Sequence, residues 1–447
     1  LNIIGEPLTL YCKPASDMVP DPQACLVTGI TPQKAEQEGL IEAEFIAKIH
    51  AEFSRPGTCV AGFNNIRFDD EFTRNTLYRN FYNAYAHEWQ NGNSRWDIID
   101  MVRLTRALRP EGIHWPEDNG RPSIRLELLT RANGISHEAA HDAMSDVYAT
   151  IAVAKLIKQK QPRLYQHIYK MRKKNVVLQQ FNLKQHQAVL HVSSRYSAER
   201  GAIAMVMPVC MHPTNKNAIV VYDLAADPDS FLQIDAGEIA ARLYTPAREL
   251  PEGVERIPLK LVHINKCPVI VPLKTMDEAA AQRLQIDVAQ CEAHRQILLA
   301  DIDTIVDKTT QVFEQQDFPE PADPDAQLYS GGFFSRDDVQ RMDTIRHTRP
   351  EALAGLQLNF DDPRLDELLF RYRARNYPQT LAPDEQQQWR DYCRQKFNDP
   401  AIGIRTISQV RATIEEIQCS PDTTGADLVV LEELLDWLNH LEGALAT

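Results

Sequence analysis

TCVAGFNNIRFDDEFTRNTLYRNFY, residues 58–82, changes its period halfway along. Its first six residues are a short apolar run of the kind a buried strand needs. From Asp69 onward the pattern is helical, with Phe72, Leu77, Phe81 and Tyr82 at helix-like spacing. A strand running straight into a helix is an α/β signature. The junction is polar: Asn64 and Asn65 end the strand, and Asp69, Asp70 and Glu71 open the helix. Carboxylates at a helix start gain from its dipole and its free N–H groups, which is one reading. The other is a metal-binding carboxylate at a strand end.

Working outward, PLTLYCK (7–13) reads as another strand, and three further helical patterns follow. WDIIDMVRLTRALRP (96–110) carries Ile98, Ile99, Val102 and Leu108, and Pro110 stops it. SIRLELLTRANG (123–134) ends at Asn133-Gly134, a good C-terminal signal. AHDAMSDVYATIAVAKL (140–156) is apolar at Met144, Val147, Ile151 and Ala154, yet carries His141 and Asp146. His137 and Asp142 have the same spacing. The later pair is preferred because Asp146 directly precedes the apolar face, so its carboxylate can project toward the sheet.

From about residue 180 to 275 the chain turns β-like: QAVLHVS, GAIAMVMPVC, NAIVVYDL and LKLVHINKCPVIV are separated by turn residues, as in a small barrel or sandwich. Helical patterns return over 276–313. DFPEPADPD (317–325) reads as an exposed linker, and 326–447 is helical. A chain of 447 residues implies two or three domains. The divisions fall at 1–161, 162–315 and 316–447.

No apolar run is long enough to span a bilayer. The eight cysteines form no C-x-x-C and no zinc-finger spacing, which speaks against a structural zinc or a disulfide framework and for a reducing cytoplasm. A net charge of −14 argues against a general polyanion binder. The stretch Lys155–Lys174, with eight Lys or Arg and no acid, could still line a basic groove.

N-x-x-x-F-D at Asn64–Asp69, followed by H-x4-D at His141–Asp146 within an α/β region, resembles the second and third motifs of the DEDDh 3′–5′ exonucleases. Within them the chain most resembles the bacterial exodeoxyribonuclease I family, through YCKPASDMVPDPQACLVTGITPQ, NNIRFDDEFTRN, NSRWDIIDMVR, ALRPEGIHWPED, AHDAMSDVYATIA, KLVHINKCPV, DAQLYSGGFFS and LLFRYRARNYPQTL. The resemblance implies a ribonuclease H-like exonuclease domain, an SH3-like β domain with helical additions, and a helical C-terminal domain. It implies processive 3′–5′ degradation of single-stranded DNA to 5′-mononucleotides, in DNA repair and recombination. Two Mg²⁺ ions would do the chemistry, with Asp69 and Asp146 as metal carboxylates and His141 as general base.

For the substrate, the resemblance implies Arg125 as a substrate-binding arginine and Arg74, Tyr85, Trp89 and Arg103 as DNA contacts. Lys174, Asn217, Lys260, Asn265 and Lys266 would contact DNA from the second domain. In the third, Arg371 and Arg375 share a helix face suited to a strand-tracking wall. Arg109 is the expected contact for the C-terminal tail of single-stranded DNA-binding protein. The expected molecule is cytoplasmic, membrane-free and monomeric.

The family site also uses an Asp-x-Glu pair on a first strand, and this sequence opens at Leu1 in LNIIGEPLTLYCKP. The expectation is therefore an N-terminally incomplete record of an active enzyme, nearly inactive as written because two aspartates bring −2 against +4. The competing readings are an inactive single-strand-binding protein, an exonuclease of short RNA or of proofreading, and an interaction module with a nuclease-like core.

Overall fold

The computed structural model describes residues 1–136, 143–314 and 320–446. The chain divides into two units interleaved in sequence. The first comprises residues 1–2, 59–68 and 94–317, the second 3–58, 69–93 and 318–447.

In the first unit, β1 (Cys59–Gly62) pairs in parallel with β2 (Ser94–Asp97), placing Gly62 opposite Asp97. A two-residue hairpin follows, β3 (Glu117–Asp118) with β4 (Arg121–Pro122). The helices Ile99–Leu108, Leu126–Ala132, Ala143–Lys160 and Pro162–Lys170 pack around one core that includes Met101, Leu104, Leu129, Val153, Ile157 and Ile168. The tight turn after Leu126–Ala132 uses Gly134 at φ 66°, a conformation glycine adopts without a Cβ penalty.

The β-like region forms an antiparallel sheet of five strands: β5 (Val189–Val192), β6 (Ile203–Met211), β7 (Ala218–Asp223), β8 (Leu259–His263) and β9 (Val269–Pro272). Their order is β8-β7-β6-β5-β9, and β6 carries an irregularity between Pro208 and Cys210. Both faces are buried, which is why these segments are near-continuous apolar runs. Leu190, Met205, Met207 and Val220 join the first core, whereas Val206, Ile219, Val221 and Ile270 join a second. LKLVHINKCPVIV is thus two strands, with Asn265 and Lys266 at the turn between them.

The second unit is helical. Glu42–Phe53, Asp69–Arg79, Arg364–Asn376, Pro383–Asn398, Ile407–Gln418 and Gly425–Ala446 are its main helices. Its interior holds a cluster around Trp389, Phe397, Leu434 and Leu438 and another around Phe81, Leu365, Leu368 and Tyr372.

Four expectations are corrected. PLTLYCK forms no strand; Cys12 makes only an isolated bridge to Leu40. Leu8 is largely exposed, so that stretch has no buried face to pair. In 96–110, Trp96 and Asp97 belong to β2, and the helix begins at Ile99 because the Asp97 carboxylate takes the Ile99 N–H. On Ala143–Lys160 the buried stripe is Ala149, Val153, Ala154 and Ile157, not Met144, Val147 and Ile151; Val147 is exposed. Asp146 lies three and seven residues before Ala149 and Val153, so it continues that stripe toward the helix start. Finally, Asp323 and Asp325 in the described part of the supposed linker are pinned by Arg371 and Arg375. All eight cysteines are free thiols. Among the described residues no helix is long and apolar enough to cross a membrane.

Candidate active site and strand-binding surfaces

In the first unit the turn after β1 is built around Asp97. Its carboxylate accepts the N–H of Asn64 (2.8 Å), Ile99 (3.0 Å) and Ile66 (3.3 Å). Asn64 can therefore take a left-handed backbone at φ 66°, closing the strand into the short helix Asn65–Arg67. Burial pushes the Asp97 pKa up to about 6, with the charge of Asp100 adding to it, against the three N–H groups that favour the carboxylate. Sequence reading missed this residue. The available signal was an Asp two positions before the first turn of a helix.

β2 is clamped to the turn between β8 and β9. Arg95 donates to the Asn265 carbonyl at 3.1 Å, and the buried Cys267 Sγ–H donates to the Arg95 carbonyl at 3.1 Å. This presents Asn265 and Lys266 on an exposed turn beside β2. Beneath β2, Trp96 meets Tyr165 and Tyr169 edge-on. Arg172 lies over Tyr169, 3.7 Å from the ring centroid, and donates to Ser94 Oγ. Part of the basic stretch 155–174 is thus laid on aromatic faces rather than held in solvent.

The remaining first-unit candidates are spread over this framework. Asp146 is half-buried in the first turn of Ala143–Lys160. His141 lies outside the described residues. Arg103 pairs with Asp100, and the exposed Arg125 is held by Glu127 (2.6 Å) and Asp118 (3.3 Å). The exposed Lys174 Nζ donates to Asn217 Oδ1, joining two predicted contacts directly. Arg109 donates to the Leu108 and Thr275 carbonyls. Lys260, on β8, has a buried Nζ with no hydrogen-bond partner, lying 4.3 Å from the centroid of the Tyr196 ring. Burial above all lowers its pKa to about 7; Arg67 and Arg195 lower it further, while Asp100 and Asp223 oppose them.

In the second unit Asp69 begins the helix Asp69–Arg79 and is exposed as a residue. Crowding by surrounding protein atoms, and the adjacent Asp70 charge, nevertheless raise its carboxyl above the ordinary aspartate range. Arg74 is buried: it donates to Glu88 (2.6 Å), Glu71 (3.0 Å) and the Tyr329 hydroxyl (3.3 Å), and its guanidinium lies over the half-buried Tyr85. Trp89 is 65% exposed, a free aromatic face. Arg371 is buried, as is the side chain of Arg375: Arg371 bonds Asp323, Asp325 and Glu367, and Arg375 bonds Asp17 and Asp325. As placed, their guanidinium groups are committed to protein carboxylates.

Among the described residues no group of three or more His, Cys, Asp or Glu side chains converges as a metal cage. The donor chemistry of Asp69 and Asp146 still suits a hard divalent cation. Both offer carboxylate oxygens, the hard donors such a cation takes.

Three families match along the chain: an exonuclease family over 1–154, the Exonuclease I SH3-like domain over 172–315 and the Exonuclease I C-terminal domain over 322–441. The exodeoxyribonuclease I of Escherichia coli K12 is 48% identical over 398 residues, 89% of this chain and 83% of that protein. A zinc-bound complex of E. coli exonuclease I with single-stranded DNA superposes with a TM-score of 0.94 at 43% identity, covering 99% of this chain and 92% of the other. A structure of single-stranded DNA-binding protein with exonuclease I and the inhibitor CFAM superposes at 0.88 and 43% identity, covering 98% and 92%.

Proposed function

The chain belongs to the exodeoxyribonuclease I family and acts as a hydrolytic exonuclease on single-stranded DNA, and we propose that it works from the 3′ end, processively, releasing 5′-mononucleotides. The observation that carries this reading is the succession of all three family regions along one chain at 48% identity. The function depends on a divalent metal, and we assign Mg²⁺, two ions per site. When bound, they polarise the scissile phosphate and the attacking water. Asp69 and Asp146 supply hard carboxylate oxygens to hold them. His141 takes the proton from the attacking water, a task its ordinary pKa near 6.5 suits at neutral pH.

The divisions 1–161, 162–315 and 316–447 serve as nuclease, SH3-like and helical regions. Arg125, Arg103, Lys174, Asn217, Lys260, Asn265 and Lys266 carry the backbone of the strand, and Tyr85 and Trp89 offer stacking faces. Arg74 sets the position of Tyr85, while Arg371 and Arg375 hold the helix they stand on. The protein also binds single-stranded DNA-binding protein. We assign Arg109 to the acidic C-terminal tail of that partner, and the monomer in the cytoplasm, in DNA repair, as the working state.

A strand labelled at its 5′ end tests the reading. With Mg²⁺, a ladder shortening from the 3′ end, 5′-mononucleotide products and sparing of duplex are expected. Binding without hydrolysis, or faster loss of RNA than of DNA, would overturn it.

A further inference from the structure

An ammonium group taken out of water costs several kcal/mol unless something pairs with it, roughly. Lys260 meets that cost with only a ring: its Nζ is buried, has no hydrogen-bond partner and faces Tyr196 at 4.3 Å. The ring itself is fixed, because the Tyr196 hydroxyl bonds the buried His191 Nδ1 at 2.9 Å. Arg195 is the residue next to that tyrosine. Arg67 stands at the end of the turn that Asp97 pins through Asn64 and Ile66. The strand beside that turn is tied through Arg95 to the Asn265 carbonyl, five residues along from Lys260.

Arg67 and Arg195, from two other segments, each stand near enough to Lys260 for their charge to bear on it. For the side chains of Arg67 and Arg195 no ion pair or hydrogen bond is seen among the described residues. The nearby acids do not neutralise the group: Asp100 is taken by Arg103, and Asp223 is itself raised by burial. Asp100 and Asp223 thus answer Lys260 only in part, and Arg67 and Arg195 add positive charge beside it, so in a chain of net charge −14 the group still has room for an anion from outside.

We propose that Arg67, Arg195 and Lys260 form a seat for one backbone phosphate of the bound single strand, at the junction of the β1 turn and the five-stranded sheet. This rests on the single-strand reading above and adds Arg67 and Arg195 to it, with Tyr196 as the rest on which the lysine waits. The half-buried Lys260 stem lets the ammonium swing from the ring to the phosphate.

The test is the salt dependence of binding of a fluorescent oligodeoxynucleotide to the full chain, in EDTA so that nothing is cut. Each phosphate neutralised on a single strand contributes about 0.7 to the slope of log affinity against log salt. The combined variant Arg67→Ala, Arg195→Ala, Lys260→Met should lose about 0.7 of slope, so that between about 50 and 200 mM salt its affinity falls roughly 2.6-fold less than wild type. Arg67→Ala alone, at an exposed position, should lose part of it with an unchanged melting curve. Arg67→Lys with Arg195→Lys should keep the full slope. An unchanged slope in the combined variant, or in Arg67→Ala, overturns the seat while leaving the exonuclease reading intact. Failure of the wild type to bind any single strand overturns both.

Discussion

The two sets of cations described above solve opposite problems. In the helical unit, Arg375 and Asp17 are almost wholly buried, yet every charge has an answer: Arg375 meets Asp17 and Asp325, and Lys396 also reaches Asp17. Those cations hold the Asp17 carboxyl far below the usual range and Asp325 at about 2, despite burial. In the β-rich unit, the Lys260 ammonium is buried with no hydrogen-bonded anion, and its pKa falls to about 7. The difference separates charge that maintains a fold from charge held in reserve for a ligand.

The largest effect belongs to the charges assigned to the metals. Asp69→Asn or Asp146→Asn removes a carboxylate from an assignment worth several kcal/mol of transition-state stabilisation, so kcat should drop on the order of a thousandfold. The melting temperature should hardly move, because Asp69 is exposed and Asp146 only half-buried, unlike Asp17. A large fall in stability with intact activity would move these residues to the fold-holding class.

Next comes Asp17→Ala, which leaves Arg375 with Asp325 alone and takes from Lys396 the carboxylate it reaches. Breaking a buried pair in this way costs about 3–5 kcal/mol. Denaturant unfolding measures it, and a loss below about 1 kcal/mol, the usual worth of an exposed pair, would show that water reaches the cluster.

Much of the architecture was legible in the sequence, but not this contrast. The strand-to-helix change at Asp69 and the β-like runs from 187 to 271 gave the architecture, since periodicity reports which face is buried. It failed on Ala143–Lys160, where Met144, Val147 and Ile151 are as apolar as the residues the fold actually buries, so composition could not choose the face. PLTLYCK looked like a strand because alternation says nothing about whether a partner edge exists. FRYRARNY read as a strand-tracking wall because the acids that hold its arginines, Asp17, Asp323 and Asp325, lie far away in sequence. Asp97 was invisible for a related reason: what it does depends on three amide groups that only the folded turn assembles.

Lys260→Met should sharpen the comparison from the other side. It removes an unpaired buried charge and orphans nothing, so at neutral pH the variant should match or exceed wild type by about 1–3 kcal/mol. The sign with pH follows from linkage. The folded pKa near 7 lies below the ordinary 10.5, so between them the unfolded chain binds the proton and the folded chain does not. Wild-type stability should climb as pH rises through that window, and the methionine variant should lack this part of the climb. Strand binding should show the reverse, strengthening in wild type as pH falls through 7 and the seat regains its charge.

The smallest effect tests Asp97, where burial outweighs three opposing backbone hydrogen bonds. Its folded pKa near 6 lies above the ordinary 3.8, so its contribution to stability is complete below 3.8 and is lost as pH rises through about 6. Asp97→Asn cannot titrate, and its amide oxygen can still accept the Asn64 and Ile99 N–H groups that share Oδ1 in the native turn. It loses only the acceptor for Ile66, a cost of about 1–3 kcal/mol that removal of the desolvated charge partly offsets. Urea midpoints taken between pH 4 and pH 7 should therefore decline less steeply in the variant than in wild type, with the two curves drawing together at the upper end. Parallel curves would mean that this carboxylate is hydrated in the native turn, and that the three amide bonds, rather than its burial, set its ionisation.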